Sequence, residues 1–421
     1  MKKQEFMTYL LNNGIEEVEI YETKNTSSSL LAENNILEEI DVNNIRNYII
    51  RVSKDNKTVS IKSSNLNEKL LPLLEEKLEF IENNKKEEFV SDLSTNNLIK
   101  TGEILDVSPY KDLVKEISRI KDKRIKHTFS NLIAINNYHN LSNSLGVNKS
   151  YMNKYYLFVY ASYAGSDAST TSSYKELIIE KPKEEILKSI KEEVDNDAIL
   201  KLNKDNLKEG TYNALFMPEV MDEISSKIVK ALRQDNVNEL KTMYKDKLNM
   251  KEFSSKLNLI EDPKGDFINK FLFDEEGEST SKKYLIKEGV INAFISNKKE
   301  AGELKSTGNA FDATINVRNL YFEGGNKTTE EIIKSMDKGI IITSVQGPDE
   351  AISILNGNIS LLGEGYMVEN GEKKFFFENV NIATSISHLF NNVLEVSSDI
   401  IYKSSDILGN ILYFKDVKII S

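Results

Sequence analysis

The 421-residue chain contains no cysteine and no tryptophan, and it has only three histidines. The absence of cysteine excludes disulfide bonds and thiolate chemistry, which suits a reducing compartment. Apolar residues never run to the roughly eighteen in succession that a membrane-spanning helix needs. Residues 1–14 mix polar and apolar positions in the manner of an amphipathic helix, unlike a secretory signal. We therefore expect a cytoplasmic protein that does not enter a membrane.

Positive charge is also in short supply. Asp and Glu number 66 against 55 Lys and Arg, which gives a formal net charge of -11. An acidic protein repels phosphate backbones unless a local basic patch compensates. The densest basic cluster, residues 121–126, is interpreted as the solvated end of a helix. We predict no nucleic-acid partner.

The length of the chain exceeds that of one ordinary hydrophobic core, so several domains are expected. Strand-like and helix-like periodicities predict an amino-terminal α+β domain over residues 1–86, a central α/β domain over 106–205 and a β-rich carboxy-terminal domain over 209–421. Within these domains, helices are predicted over residues 3–12, 70–81 and 218–232. Residues 166–173, which are small and polar, predict a surface loop.

The three histidines are His127, His139 and His388. A zinc peptidase of the paired-histidine type places two imidazoles one helical turn apart and adds a glutamate as general base. No two of these histidines are that close in sequence. We predict structural or surface roles for them, and no metal site in this chain.

Residues 257–311 carry the most informative pattern. It contains Glu-Asp-Pro at 261–263, Phe-Asp-Glu-Glu-Gly at 273–277, Thr280 and Ser-Thr-Gly-Asn-Ala at 306–310. A second pattern spans residues 357–372. It contains an Asn-Gly pair at 370–371 that favours a two-residue hairpin turn. Both patterns resemble the carboxy-terminal half of the TldD/PmbA family, a two-component bacterial peptidase system. The resemblance implies an α+β fold, with small α/β amino-terminal units followed by a large, mostly antiparallel β carboxy-terminal domain.

The resemblance also distinguishes between the two kinds of subunit. TldD-type subunits carry a metal-binding His-Glu-x-x-x-His helix and a metal-binding cysteine near the carboxy terminus. On the corresponding helix this chain has Pro218-Glu219, with Lys227 where a second ligand is wanted, and residues 402–409 contain no cysteine. The chain is therefore similar to the PmbA subunit, also called TldE, which lacks the metal ligands.

For function, the resemblance implies a non-catalytic subunit of a TldD/TldE-type metallopeptidase complex that degrades or trims peptides. A TldD-like partner would supply zinc and the general base, so this chain would need no cofactor of its own. The alternative comes from a different class: a stand-alone peptide-binding or scaffolding homologue without peptidase activity, assembled as a homodimer.

Two polar, glycine-containing segments are candidates for a substrate groove, because such loops offer backbone and small side-chain contacts to an extended peptide. The candidate residues are Phe273, Asp274, Glu275, Glu276, Gly277, Thr280, Ser306, Thr307, Gly308 and Asn309. The alternative interpretation is that both segments are structural turns of a β domain.

Two other chemistries are disfavoured at these segments. Adjacent carboxylates in a strand point to alternate faces, which argues against a hard-cation site at Asp274, Glu275 and Glu276. Serine catalysis from Ser306 or Ser360 is disfavoured because no His lies near them in sequence and no nucleophile-elbow motif surrounds them.

Overall fold

The computed structural model describes residues 1–38, 41–81, 86–96, 103–166, 169–400 and 406–420. The helices are α1 (Lys3–Asn12), α2 (Leu70–Phe80), α3 (Lys111–Ile117), α4 (Glu184–Leu200), α5 (Pro218–Ala231), α6 (Gln234–Asn238), α7 (Lys298–Ala301), α8 (Thr329–Lys334), α9 (Pro348–Ala351) and α10 (Ile386–Asn391). Short 3₁₀ turns cover Leu93–Thr95 and Ser108–Tyr110.

The strands fall into an amino-terminal and a carboxy-terminal set. The first set is β1 (Glu17–Glu33), β2 (Ile36–Leu37), β3 (Asp41–Lys54), β4 (Lys57–Ser63), β5 (Ile125–Asn143), β6 (Asn148–Ser166) and β7 (Ser169–Ile179). The second set is β8 (Gly210–Phe216), β9 (Leu259–Glu261), β10 (Lys283–Lys287), β11 (Val290–Ile291), β12 (Ala310–Phe311), β13 (Thr314–Ile315), β14 (Leu320–Phe322), β15 (Lys338–Gln346), β16 (Asn358–Glu369), β17 (Glu372–Ser385), β18 (Val393–Val396) and β19 (Leu412–Ile420).

The amino-terminal strands form one antiparallel sheet in the order β4-β3-β1-β5-β6-β7, with β2 paired to β1. Strand β1 is 17 residues long and pairs with β3 on one side and β5 on the other, so the two expected amino-terminal domains share a sheet. Each of those units nevertheless has its own hydrophobic cluster, one under α1 and α2 and one under α3 and α4.

Both clusters lie on the same face of this sheet. Val18 and Ile20 belong to the first cluster and Leu30 and Ala32 to the second. All four occupy even-numbered positions of β1, and alternate residues of a strand share a face. The odd-numbered face is therefore turned away from these helices, and at Tyr21 it contacts the carboxy-terminal domain.

The carboxy-terminal domain is built around the sheet β17-β16-β15-β8-β19-β18, in which β17 also pairs with β19 and so closes the strands into a ring. Within the described residues, β15 and β8 pair in parallel and the other strands of this sheet pair antiparallel. Helix α5 follows β8 directly and buries its apolar face in the largest hydrophobic cluster of the chain. The predicted α+β class, with a large and mostly antiparallel carboxy-terminal β domain, is confirmed.

Local expectations were met where the pattern was strong. Helix α1 spans the predicted residues 3–12, and Asn370 and Gly371 have φ angles of 53° and 74°, as a type I′ hairpin turn requires. The loop predicted over residues 166–173 is wrong, because β6 extends to Ser166 and β7 begins at Ser169. Residues 167 and 168 of that prediction lie outside the described residues. The hydroxyl-rich sequence still alternates between buried and exposed positions, since Thr171 and Ser173 are buried against α4.

Candidate functional site

The first predicted groove segment is a tight turn tied together by a buried carboxylate. Asp274 is fully buried, and its carboxylate accepts hydrogen bonds from the backbone N–H groups of Glu276 (3.0 Å), Glu278 (2.9 Å) and Ala310 (3.0 Å). Burial, together with the Glu276 charge, raises the pKa of Asp274 to about 8, although the N–H groups of Ala310 and Glu278 favour its ionised form. The side chain stabilises the turn and does not face a groove.

The same turn attaches the carboxy-terminal domain to the amino-terminal sheet. The buried Phe273 ring packs edge-on against Tyr151 of β6, with ring centroids 5.0 Å apart. The ammonium of Lys149 lies 4.8 Å from the centroid of that ring and donates a hydrogen bond to the Gly277 carbonyl. Thr280 is also buried, and its hydroxyl donates to the Phe271 carbonyl.

Gly277 is required at its position on two counts. Its φ of +78° is unfavourable for a side chain, and an added Cβ would lie 2.4 Å from Val90 and 3.0 Å from Leu141. The glycine therefore permits the turn to approach the sheet closely. Gly277, a residue of the family motif, therefore allows the carboxy-terminal domain to pack closely against the amino-terminal half of the chain.

Hydrogen bonds of the buried Asn309 side chain link the second predicted segment to neighbouring parts of the carboxy-terminal domain. Its side-chain amide, fully buried, donates to Glu261 Oε1 (2.8 Å) and to the Asn316 carbonyl (2.8 Å), and its Oδ1 accepts from Lys283 Nζ (3.0 Å) and Thr307 Oγ1 (2.8 Å). Glu261 is itself buried and forms an ion pair of 2.8 Å with Lys283. All four hydrogen-bonding positions of the Asn309 amide are thus used inside the chain.

The residues before Asn309 have local partners too. Thr307 Oγ1 accepts from the Ser296 N–H (2.7 Å), and Ser306 Oγ accepts from the Gly308 N–H (3.2 Å). Gly308 has a φ of +73°, and an added Cβ would come within 2.9 Å of the Ser279 carbonyl oxygen. The two predicted segments therefore contact each other and form one hydrogen-bonded unit.

Glu275 and Glu276 are the predicted groove residues that do line a cleft. This smaller cleft, of about 340 Å³, lies between the amino-terminal sheet and the carboxy-terminal loops. The Glu275 carboxylate accepts from the N–H groups of Asp312 (3.0 Å) and Ala313 (2.9 Å), and that of Glu276 accepts from the Lys298 N–H (2.8 Å). Burial raises the pKa of both carboxyls.

A larger cleft, of about 580 Å³, lies elsewhere and contains none of the predicted groove residues. It is bounded by β7 and α4 on one side and by the start of α5, β15 and β16 on the other. The lining includes six carboxylates and three lysines, namely Glu176, Glu193, Asp197, Glu219, Glu223, Glu364, Lys175, Lys201 and Lys373. Sequence reasoning missed this cleft because its walls come from three separate parts of the chain, residues 172–201, 217–223 and 333–373.

The start of α5 contributes three residues to the lining of the cleft. Pro218, Glu219 and Glu223 all line it. Lys227, one turn further along, is buried instead and forms an ion pair of 2.6 Å with Asp349. Of the two residues, Glu223 therefore lines the cleft and Lys227 does not.

The histidines lie away from both clefts. His127 and His139 are on β5 and His388 is on α10. His139 is enclosed between the two domains, where its ring stacks on Tyr151 (centroids 4.5 Å apart) and its Nδ1 shares a hydrogen bond of 2.7 Å with the Tyr21 hydroxyl. Burial lowers the pKa of His139 to about 3, and the Arg318 charge acts in the same direction.

Two features are absent from the residues that the structure describes: a cluster of metal-ligating side chains and a membrane-spanning helix. No group of three or more His, Asp or Glu side chains in the described part of the chain is arranged to hold a metal ion. None of the described helices has the length and apolar character needed to cross a membrane.

Two parts of the chain match domain models of one protein family. Residues 209–421 match the model described as PmbA/TldA metallopeptidase C-terminal domain, and residues 18–85 match PmbA/TldA metallopeptidase domain 1. The chain is 30% identical over 220 residues to a metalloprotease PmbA homolog of Buchnera aphidicola, covering 51% of this chain and 48% of that protein. It is 27% identical over 203 residues to metalloprotease PmbA of Escherichia coli O157:H7, covering 47% and 43%. The chain spans about half the length of the curated relatives it matches.

Solved structures share the fold over nearly the whole chain. TldE from Thermococcus kodakarensis superposes with a TM-score of 0.81 at 18% identity, covering 99% of each chain. A Thermotoga maritima protein, described as a candidate modulator of a DNA gyrase, superposes with a TM-score of 0.85 at 24% identity, again over 99% of each. At such identities these likenesses concern the fold alone.

Proposed function

Because the chain belongs to the PmbA/TldD metallopeptidase family, we propose that it is a non-catalytic, TldE-like subunit of a two-component metallopeptidase. In this proposal a TldD-like partner supplies zinc and the general base, and the complex degrades or trims peptides. This chain contributes a wall of the peptide-binding space and needs no cofactor of its own.

The observation that carries the proposal is the composition of the α5 start. Aligned on Glu219, the metal-binding pattern His-Glu-x-x-x-His corresponds here to residues 218–223, which begin with Pro218 and end with Glu223. The three residues Pro218, Glu219 and Glu223 line the larger cleft. A proline has no side-chain donor atom for a metal, so the helix keeps the glutamate of the pattern without either imidazole.

The test is reconstitution. The purified chain should cleave no unfolded peptide and should retain no stoichiometric zinc after dialysis, and peptidase activity should be restored when a TldD-like chain is added. Co-purification from the native cell, followed by metal analysis of the complex, identifies that partner. Chelator-insensitive cleavage by the chain alone would contradict the proposal. A homodimer that captures peptides but never supports cleavage would favour the scaffolding alternative.

A further inference from the structure

The charges that line the larger cleft are unequal in number, with six carboxylates against three lysines. Its three lysines are each paired with a carboxylate of the cleft wall: Lys175 with Glu193 at 2.6 Å, and Lys201 and Lys373 with Asp197 at 3.5 and 3.7 Å. Two carboxylates of the lining, Glu193 and Asp197, are therefore the ion-pair partners of all three lysines. The excess of carboxylates over lysines gives the lining a negative potential.

Two of those carboxylates stand out. Within the described residues, the side chains of Glu223 and Glu364 take part in no ion pair and no hydrogen bond, and both line the cleft. Glu364 is half-buried on β16, and burial raises the pKa of its carboxyl. Lys201 and Lys204 attract this carboxylate, but neither forms an ion pair with it within the described residues. A partly buried carboxylate without a contacting cation costs free energy, which a bound cation would recover.

Apolar side chains lie beside this charge. The cleft is also lined by Leu200, Met217, Ile333, Ile341 and Val345, and the ring of Tyr174, which is 68% exposed, stands in the same lining. Lysine and arginine side chains have an aliphatic stem and a charged head, so they need both kinds of surface at once. An arginine can in addition stack on an aromatic ring.

We propose that the larger cleft takes a basic peptide segment, with Glu223 and Glu364 supplying the charge that selects its lysine or arginine side chains. This inference rests on the proposed peptide-handling function and names the substrate class of the same subunit. The volume of about 580 Å³ falls within the range of roughly 300–1,000 Å³ found for ligand sites. The whole lining belongs to this chain, so the purified chain must itself bind such a peptide.

The experiment compares two fluorescein-labelled unstructured peptides of equal length, one containing lysines and the other carrying acetyl-lysine at the same positions. Acetylation removes the charge and keeps the stem. Fluorescence anisotropy with the full chain at low salt should show at least about tenfold tighter binding of the lysine peptide. Equal affinities, or no binding of either peptide, would overturn the proposal.

The variants Glu223→Gln and Glu364→Gln locate the effect. Each should reduce the preference for the lysine peptide by about tenfold or less, since each removes one charge and keeps the shape of the side chain. Glu76→Gln, an exposed carboxylate on α2, serves as the matched control and should leave the preference unchanged. A preference that survives both cleft variants, with thermal unfolding unaltered, would place the basic peptide elsewhere and contradict the proposal.

Two further arms separate the outcomes. Displacement of the lysine peptide by millimolar calcium, with loss of that displacement in the Glu223→Gln variant, would assign the cleft to a metal cation and refute the peptide assignment. Reconstitution with a TldD-like chain is scored independently: charge-selective binding without restored cleavage would refute the subunit proposal alone, and restored cleavage without charge selection would refute this inference alone.

Discussion

In the smaller cleft the carboxylates of Glu275 and Glu276 accept backbone N–H groups, whereas in the larger cleft those of Glu223 and Glu364 have no hydrogen bond or ion pair among the described residues. The smaller cleft contains residues of the family motifs, and the larger one is formed mainly by residues outside them. Hydrogen bonds that are satisfied within the chain stabilise a fold, and unsatisfied charge at a surface is available to a ligand.

The difference between the clefts indicates that the family motifs at 273–280 and 306–310 contribute to the stability of the fold. Five motif residues are buried and serve the fold. Phe273 and Gly277 pack against the amino-terminal sheet, and Asp274, Thr280 and Asn309 form hydrogen bonds within the carboxy-terminal domain. These internal contacts account for their place in a family pattern, and the predicted groove role of the segment remains a prediction. The four predictions below test whether the motif residues carry stability and the larger cleft does not.

The largest effect is expected for Asp274→Ala. The substitution leaves three backbone N–H groups without their buried acceptor, so it should lower the free energy of unfolding by about 3 kcal/mol or more. Glu223→Gln in the larger cleft should change it by less than about 0.5 kcal/mol. Urea denaturation measures both. Comparable losses of unfolding free energy in the two variants would contradict the distinction between the buried motif residues and the larger cleft.

Local pattern was enough to predict much of the fold. The apolar spacing of α5, which buries Val220, Ile224 and Ile228, is visible in the sequence, and so is the Asn-Gly turn between β16 and β17. The division of the amino-terminal half was harder. Pairing of β1 with β5 joins residues about a hundred positions apart, and nothing in either strand specifies that partner over another.

The candidate site was predicted only in part. The sequence indicates that Asp274 and Asn309 matter, but their burial depends on contacts with Ala310, Glu261 and Lys283 that no local pattern shows. The larger cleft could not be predicted, because strands β7 and β15 meet there only through the tertiary fold. What the sequence does offer is the pair of glutamates at the start of α5.

A second prediction isolates the close approach of the turn to the sheet. Gly277→Ala should cost about 2–3 kcal/mol, because the added Cβ meets Val90 and the backbone has a positive φ. Gly347→Ala is the matched control: its φ is +63° and nothing lies within 4 Å of an added Cβ, so only the backbone cost of about 1 kcal/mol applies. Equal losses in thermal or chemical unfolding would remove the contact from the explanation.

A third prediction concerns pH and the buried His139. The folded pKa of about 3 lies below the ordinary value of 6.5, so between these pH values the unfolded chain binds a proton that the folded chain does not. Stability from this group is therefore present above pH 6.5 and is lost as pH falls, by roughly 1.4 kcal/mol per unit. In His139→Phe, the slope of unfolding free energy against pH should be shallower by that amount between pH 6 and 4.5. Parallel profiles for parent and variant would show that His139 is protonated in the folded state.

The smallest effect is expected at the hairpin turn above the smaller cleft. Asp312 and Ala313 connect β12 and β13, and both have a φ of 56°, a conformation in which alanine is strained. Glu275 accepts hydrogen bonds from both N–H groups and so holds the turn in this form. Ala313→Gly should raise the free energy of unfolding by up to about 1 kcal/mol, because glycine adopts a positive φ without steric cost. The gain should persist in the Glu364→Gln background, since independent sites are additive. A loss of stability on introducing glycine would mean that the Ala313 methyl group contributes packing in the smaller cleft, and that this cleft is not held by backbone hydrogen bonds alone.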